Sequence, residues 1–239
     1  MNINYSILFL IAALIGLASC KNNDEVFAPV TNTNLTVVNA TADTLNFYLN
    51  GTRQNNGSSI YPDGSVVNLT VLGGLQNYQF KKTGAFTVLF SVPLNLKGVP
   101  TNLSDTIYNS LYVSGQSPAL AFNTLDTLPA NRSFVTDTSF VRFVNASPNA
   151  GSVNVFVGDT VNFKGRAFKS STVFLPTGSG LKQVQIYLAG AATPAIDTLI
   201  TFIPNQVYTL FSKGMLNGKG NAAFDVGVVI NNQSTVLTR

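Results

Sequence analysis

Leu35-Thr36-Val37-Val38-Asn39-Ala40-Thr41 and Val141-Arg142-Phe143-Val144-Asn145-Ala146-Ser147 are one pattern written twice. Each is a short run of mostly β-branched and aromatic residues that stops at an asparagine and two small residues, as a strand does on entering a turn. The correspondence continues in order. Leu45-Asn46-Phe47-Tyr48-Leu49 aligns with Val153-Asn154-Val155-Phe156-Val157 after a two-residue insertion in the second copy. Leu111-Tyr112-Val113-Ser114-Gly115 then answers Leu210-Phe211-Ser212-Lys213-Gly214. Three ordered matches imply a duplicated domain of about 100 residues.

The remaining apolar runs, 66–71, 86–90, 184–188, 199–203 and 224–230, are equally short and are bounded by Asn, Gly, Asp and Pro. No stretch after residue 34 keeps an apolar stripe at helical spacing. The expected fold is therefore all-β, with two tandem Ig-like β-sandwich domains. Their expected bounds are 34–122 and 140–239. The linker, 123–139, is polar, contains Pro129 and lacks alternation.

The N-terminus reads as a lipoprotein signal peptide, residues 1–19. Its apolar core, 7–18, is shorter than the roughly 20 residues of a membrane-spanning helix. Leu17-Ala18-Ser19-Cys20 follows, a lipobox whose small residues admit the segment to a peptidase and whose thiol accepts the lipid. Residues 1–6 lack Lys and Arg, so only the α-amino group is positive there. Cys20 is the only cysteine, so its acylation leaves no disulfide or thiol chemistry. Each buried acyl methylene contributes about 0.8 kcal/mol, enough for two or three chains to anchor the protein. A polar tether, 20–33, separates anchor from fold. Its acidic opening, Lys21-Asn22-Asn23-Asp24-Glu25, resembles the export signal of surface lipoproteins in the Bacteroidetes.

Val141 to Asn149, Pro148 included, followed by the strand at Val153, resembles the opening of the domain of unknown function 4397 family. The segment from Val207 to Gly214 is similar to the family's later strand, and residues 35–115 carry the resemblance more faintly. It implies an exported β-sandwich, often in tandem, and brings no assigned activity. Many members have His where Asn145 stands and Asp where Asn154 stands, so a role resting on those two residues does not carry over.

Composition narrows the chemistry. The chain has no histidine, which removes Ser-His-Asp and Cys-His catalysis and the commonest metal ligand. Its one glutamate, Glu25, lies in the tether, and the aspartates beyond it are scattered. No enzymatic activity, cofactor or metal is expected. Charged residues make up 10% of the chain, against about 25% in a typical protein. The net charge of +4 is spread too thinly for nucleic acid. Lys164, Arg166 and Lys169 form the one basic cluster; on a regular strand the first two share a face. They read as a solvated face or a contact for an anionic polysaccharide. Gly178-Ser179-Gly180 and Gly218-Lys219-Gly220 lack phosphate-loop spacing and suit hairpin turns. Asn39 and Asn145 read as side chains bonding the turns that follow them.

Six of the ten acidic residues are an Asp followed directly by Thr. In five cases an aliphatic residue comes next, which makes Thr44, Thr106, Thr127, Thr160 and Thr198 candidate O-glycosylation sites by resemblance to the Bacteroidetes Asp-Thr-aliphatic pattern. The plainer reading is an Asp closing a turn and a Thr opening a strand.

These readings converge on a non-enzymatic outer-membrane lipoprotein, lipid-anchored and exposed at the cell surface, that contacts glycan or another envelope protein. The alternative is a periplasm-facing structural or accessory subunit of an envelope complex. A shallow groove lined by tyrosines and polar side chains favours the first; a contiguous exposed apolar patch favours the second.

Overall fold

The computed structural model describes residues 30–55, 57–100, 106–129 and 137–231. The first sandwich contains β1 (Thr31–Asn39), β2 (Leu45–Leu49), β3 (Thr52–Arg53), β4 (Ser65–Leu72), β5 (Gly74–Lys82), β6 (Phe90–Leu96), β7 (Val99–Pro100), β8 (Tyr108–Val113) and β9 (Ala121–Asp126). The second contains β10 (Thr138–Asn145), β11 (Val153–Val157), β12 (Val161–Arg166), β13 (Leu175–Gly178), β14 (Gly180–Leu188), β15 (Ile196–Phe202), β16 (Val207–Lys213) and β17 (Asp225–Ile230). One sheet of the first sandwich runs β4-β1-β8-β9, with the short β7 paired to β1, and the other runs β3-β2-β5-β6. The second sandwich repeats this as β13-β10-β16-β17 and β12-β11-β14-β15. In both, the first and penultimate long strands pair in parallel, β1 with β8 and β10 with β16. Such a pair needs a long crossover, and here the chain makes it through the opposite sheet.

The duplication seen in the sequence holds in register. Leu111 pairs with Val37 and Leu210 with Phe143, the positions that the alignment equates. Inside the sandwiches, Leu35, Val37, Phe47, Tyr78, Phe80 and Leu111 form one core, and Val141, Phe143, Val155, Ile186, Phe202 and Leu210 the other. Full burial of such side chains contributes about 1.5–3 kcal/mol each.

Several boundaries differ from the expected ones. Strand structure begins at Thr31, inside the expected tether, and the first sandwich continues through Asp126. The stretch from Asn123 to Asp126 has linker-like composition because Thr124 and Asp126 are polar, yet both are buried. The second sandwich opens at Thr138. The expected strand at 86–90 is a turn whose Phe86 is almost wholly exposed, and β6 starts only at Phe90. That strand lies at a sheet edge, where Pro93 is tolerated. Gly178-Ser179-Gly180 is not a hairpin but a corner that carries the chain from one sheet to the other, with Gly180 at φ +93°.

The two sandwiches are pressed together through equivalent sheets. Val38, Ala40, Tyr112 and Phe122 from the first meet Val144, Ala146, Phe211 and Val229 from the second in one apolar layer. Tyr112 stacks on Phe122 at 5.3 Å and contacts Phe211 at 6.1 Å between ring centroids. Tyr112 and Phe211 are equivalent positions in the duplication. Equivalent positions that meet across an interface lie near a two-fold axis, so the chain is built like a fused symmetric dimer. This contact also explains β8 and β16, which are buried on both faces apart from the first residue of β8 and therefore show little polar alternation.

Candidate functional site

The symmetry is broken by charge. Outward positions on the central strands carry Thr36 in the first sandwich and Arg142 in the second. Arg142 is 2% exposed, and an ionised group there requires partners. Its Nη2 lies 2.7 Å from Asp126 Oδ1, an ion pair joining the two sandwiches. Its Nε donates to Thr209 Oγ1 at 2.8 Å, and Thr209 donates to Asn231 Oδ1 at 2.6 Å. Asp126 also accepts from Ser110 Oγ at 2.6 Å and Thr124 Oγ1 at 2.8 Å. The Phe174 ring faces the guanidinium carbon at 4.7 Å. Beside this network burial pushes the Tyr112 phenol up to about 12; Asp126 adds to the rise and Arg142 opposes it. A second cross-domain ion pair joins Lys213 Nζ to Asp63 Oδ2 at 2.6 Å.

Arg142 forms part of a cleft of about 420 Å³ at the domain junction. Leu125, Thr127, Leu128 and Pro129 line one side, and Ser171, Thr172, Val173 and Phe174 the other. Beyond Leu125–Leu128 lies a second cleft of about 290 Å³, which includes Lys97, Thr106, Ile107, Tyr108 and Asp126. A guanidinium has five N–H donors, and among the described residues the two contacts above engage Nη2 and Nε. The remaining donors, the hydroxyls and the Phe174 ring suit an uncharged ligand with many oxygens. Asp126 already offsets the charge of Arg142, and an incoming carboxylate would meet that aspartate.

Cys20 lies outside the described residues. Of the glycosylation candidates, Thr106, Thr127 and Thr160 are exposed, Thr160 in the turn between β11 and β12, while Thr44 is half-buried before β2. Thr198 is half-buried opposite Val184, on the core side of β15. The preceding carboxylates are engaged at three sites. Asp43 pairs with Lys82 at 3.0 Å, Asp126 is the interface anion, and Asp197 accepts from Gln183 and Gln185. The amides of Gln185 and then Gln183 hold the Asp197 carboxyl below its usual range. Asp159 is exposed, and Asp105 is outside the described residues.

Lys164 and Arg166 do not share a face. Phe163 pairs with Val155 and Arg166 with Val153, so three steps on β12 oppose two on β11. The bulge, with Gly165 at φ +64°, resets the alternation.

Asn39 and Asn145 are structural, as their position suggested. Asn39 donates to the carbonyls of Asp43, Ile60 and Tyr61 and accepts from the Thr41 N–H. Asn145 donates to the carbonyls of Gly151 and Arg166 and accepts from the Ser147 N–H and Ser212 Oγ. Asn154 Oδ1 accepts from Gly165 N–H at the bulge.

Arg142 and Asp126 were the site residues that pattern reading passed over. The available signal was an arginine between Val141 and Phe143, where the first copy has Thr36: a charge inside an apolar strand calls for a partner.

Among the described residues, no group of three or more His, Cys, Asp or Glu is placed to hold a metal ion. No helix there is long and apolar enough to cross a membrane. No curated protein matches the chain significantly. The family resemblance carried by the second copy is supported over that whole sandwich: residues 139–238 match the family described as Domain of unknown function (DUF4397).

Proposed function

We propose that this protein is a non-enzymatic binding module, held on the outer membrane by acyl chains at Cys20 and displayed at the cell surface. The observation that carries the binding reading is the junction cleft with Arg142 in its wall. Domain junctions are preferred places for ligand sites, and this volume lies within their usual range of roughly 300–1,000 Å³. A neutral glycan fits the donors and hydroxyls with the Phe174 ring beside them. Tyr108 and Thr106 extend the same character into the neighbouring cleft.

Leu181 and Leu199, exposed at diagonal positions on the outer face of β14 and β15, favour the second reading, docking against another envelope protein as an accessory subunit. Thr106, Thr127 and Thr160 are the threonines best placed to carry O-glycans. A glycan on Thr127 would occupy the junction cleft and exclude the ligand there.

Protease shaving of intact cells tests display, with the Cys20→Ala variant as control. Digestion of the native protein while a periplasmic marker survives supports surface binding. Protection until the outer membrane is broken moves the protein to the accessory role. Neutral oligosaccharides are then titrated against native protein and Ser171→Trp, which fills the cleft from an exposed position. Equal binding by both proteins removes the cleft from the argument.

A further inference from the structure

Strand β15 ends one sheet of the second sandwich, with β14 on one side and, among the described residues, no strand on the other. An open edge is a row of backbone donors and acceptors ready to take a further strand, and proteins blunt it with short length, proline, lysine or a bulge. The first copy does so. Gly74-Leu75 to Gln79 on β5 answers Gly180-Leu181 to Gln185 on β14, which sets Pro93 of β6 at the place of Leu199 of β15. The other edges of the second sandwich are weakened too: β12 carries Lys164 and the bulge at Gly165, β13 has four residues and Pro176, and β17 contains Gly227. Strand β15 runs for seven residues, Ile-Asp-Thr-Leu-Ile-Thr-Phe, with none of these devices. Its one charge, Asp197, is drawn back over β14, where Gln183 and Gln185 donate to its two oxygens at 2.8 and 3.0 Å.

A proline inside an edge strand keeps its nitrogen on the open side. By equivalence with Pro93 the Leu199 N–H faces the open side, and alternation along the strand adds those of Asp197 and Thr201. On the outer face Leu199 and its diagonal neighbour Leu181 are each 62% exposed. On the inner face Thr198 and Ile200 stay half-buried beside the open rim. The strand is complementary to itself. Turned about a two-fold axis at Leu199, it pairs antiparallel with every residue matched: Leu199 with Leu199, Thr198 with Ile200, Asp197 with Thr201 and Ile196 with Phe202. Outer residues meet outer and inner meet inner. Leu181, Leu199 and their copies then form one apolar stripe across the joined sheets. The two Asp197 positions lie roughly 14 Å apart at about 3.4 Å per residue, beyond a Debye length at physiological salt.

We infer that β15 is the pairing edge of a homodimer, in which two copies of the chain join their β12-β11-β14-β15 sheets into one continuous sheet. About six backbone hydrogen bonds hold the seam, three N–H groups from each copy. The inference is independent of the junction cleft and of display at the cell surface. It gives the Leu181–Leu199 patch to a second copy of this chain in place of another envelope protein, because the register around Leu199 matches the strand to itself.

Disulfide trapping tests it, in the full chain carrying Cys20→Ala so that each introduced thiol is the only one. The two Cα atoms of a hydrogen-bonded antiparallel pair are about 5.5 Å apart, within disulfide range, so Leu199→Cys should cross-link to a dimer on oxidation. Thr201→Cys, also exposed on the same strand but roughly 14 Å from its copy, should cross-link at least about 10-fold more slowly. Sedimentation equilibrium of the Cys20→Ala chain should show a reversible dimer in the micromolar range. Leu199→Pro, which copies Pro93, and Leu199→Lys, which sets two like charges on the axis, should each weaken association at least about 10-fold while the urea unfolding midpoint stays near the parent's. Equal trapping at both positions, a monomer at a concentration of about 1 mM, or unchanged association in Leu199→Lys would overturn the inference and leave the edge to a different partner.

Discussion

In the first sandwich the outward residue after Leu35 is Thr36, and in the second the outward residue after Val141 is Arg142. Pairing of the last strands extends the contrast. Asp126 ends β9 opposite Tyr108, and Asn231 stands at the matching place, its N–H donating to the Val207 carbonyl. Ser110 bonds Asp126 as Thr209 bonds Asn231. The interface therefore has one half built with charges, Arg142 and Asp126, and one built at the same positions with neutral groups, Thr36 and Asn231. A second contrast is steric. Phe122 packs on Tyr112, whereas its counterpart Gly227 leaves room for Phe211, whose ring a Cβ there would strike. The two copies keep apolar residues at equivalent core positions and diverge in charge and size where they face each other. A fused pair can do this, because each face meets only one partner and need not complement itself.

The comparison can be broken most severely at the charged half. Asp126→Ala leaves Arg142 buried without its counter-charge and should cost about 3–5 kcal/mol in urea unfolding. The pair Arg142→Thr with Asp126→Asn copies the neutral half and should recover most of that loss. If the double variant is as unstable as the single one, the two halves are not interchangeable. Next, Phe122→Ala should cost about 3 kcal/mol through the cavity it leaves. Gly227→Ala should cost about 1–3 kcal/mol by overpacking. Equal and negligible effects at both positions would remove the steric contrast.

The Tyr112–Phe211 pair sharpens the comparison through pH. The folded phenol of Tyr112 is raised to about 12 from 10.0, so its neutral form is favoured by folding. That contribution is complete below pH 10 and is lost as pH rises toward 12, a loss of a few kcal/mol at most. Tyr112→Phe, which copies the second sandwich, should flatten this part of the alkaline stability profile. Tyr78, also raised by burial, acts in the same direction in both proteins and so leaves the difference intact. The smallest effect is at Asp197, whose counterpart across from Gln79 is Ser91. Gln185→Ala should bring the Asp197 titration back up toward ordinary carboxylates in an NMR pH series, with no measurable change in stability.

Much of the fold was legible because the duplication is written in residues that the cores demand. Leu35 and Val37 match Val141 and Phe143 since both pairs face inward from the same strand. The two asparagines survive because each closes a turn with several backbone bonds. Strand β5 was harder to see, since Gly-Leu-Gln-Asn-Tyr-Gln-Phe-Lys-Lys buries only Tyr78 and Phe80 and presents amides and lysines elsewhere. The latter part of strand β9 has the composition of a linker for the reverse reason: its polar Thr124 and Asp126 are buried, which local composition cannot reveal.

By itself the sequence determined the all-β class, the tandem repeat and the lack of histidine and of any second cysteine, because these depend on residue type and short-range periodicity. Only tertiary structure decided that the sandwiches pack through equivalent faces and that Arg142 finds Asp126. Those contacts join residues from separate elements, some more than a hundred positions apart, as Lys213 and Asp63 are. No local pattern encodes which outward face meets which. That choice follows from burying Tyr112, Phe122 and Phe211 together, with the charges they enclose paired.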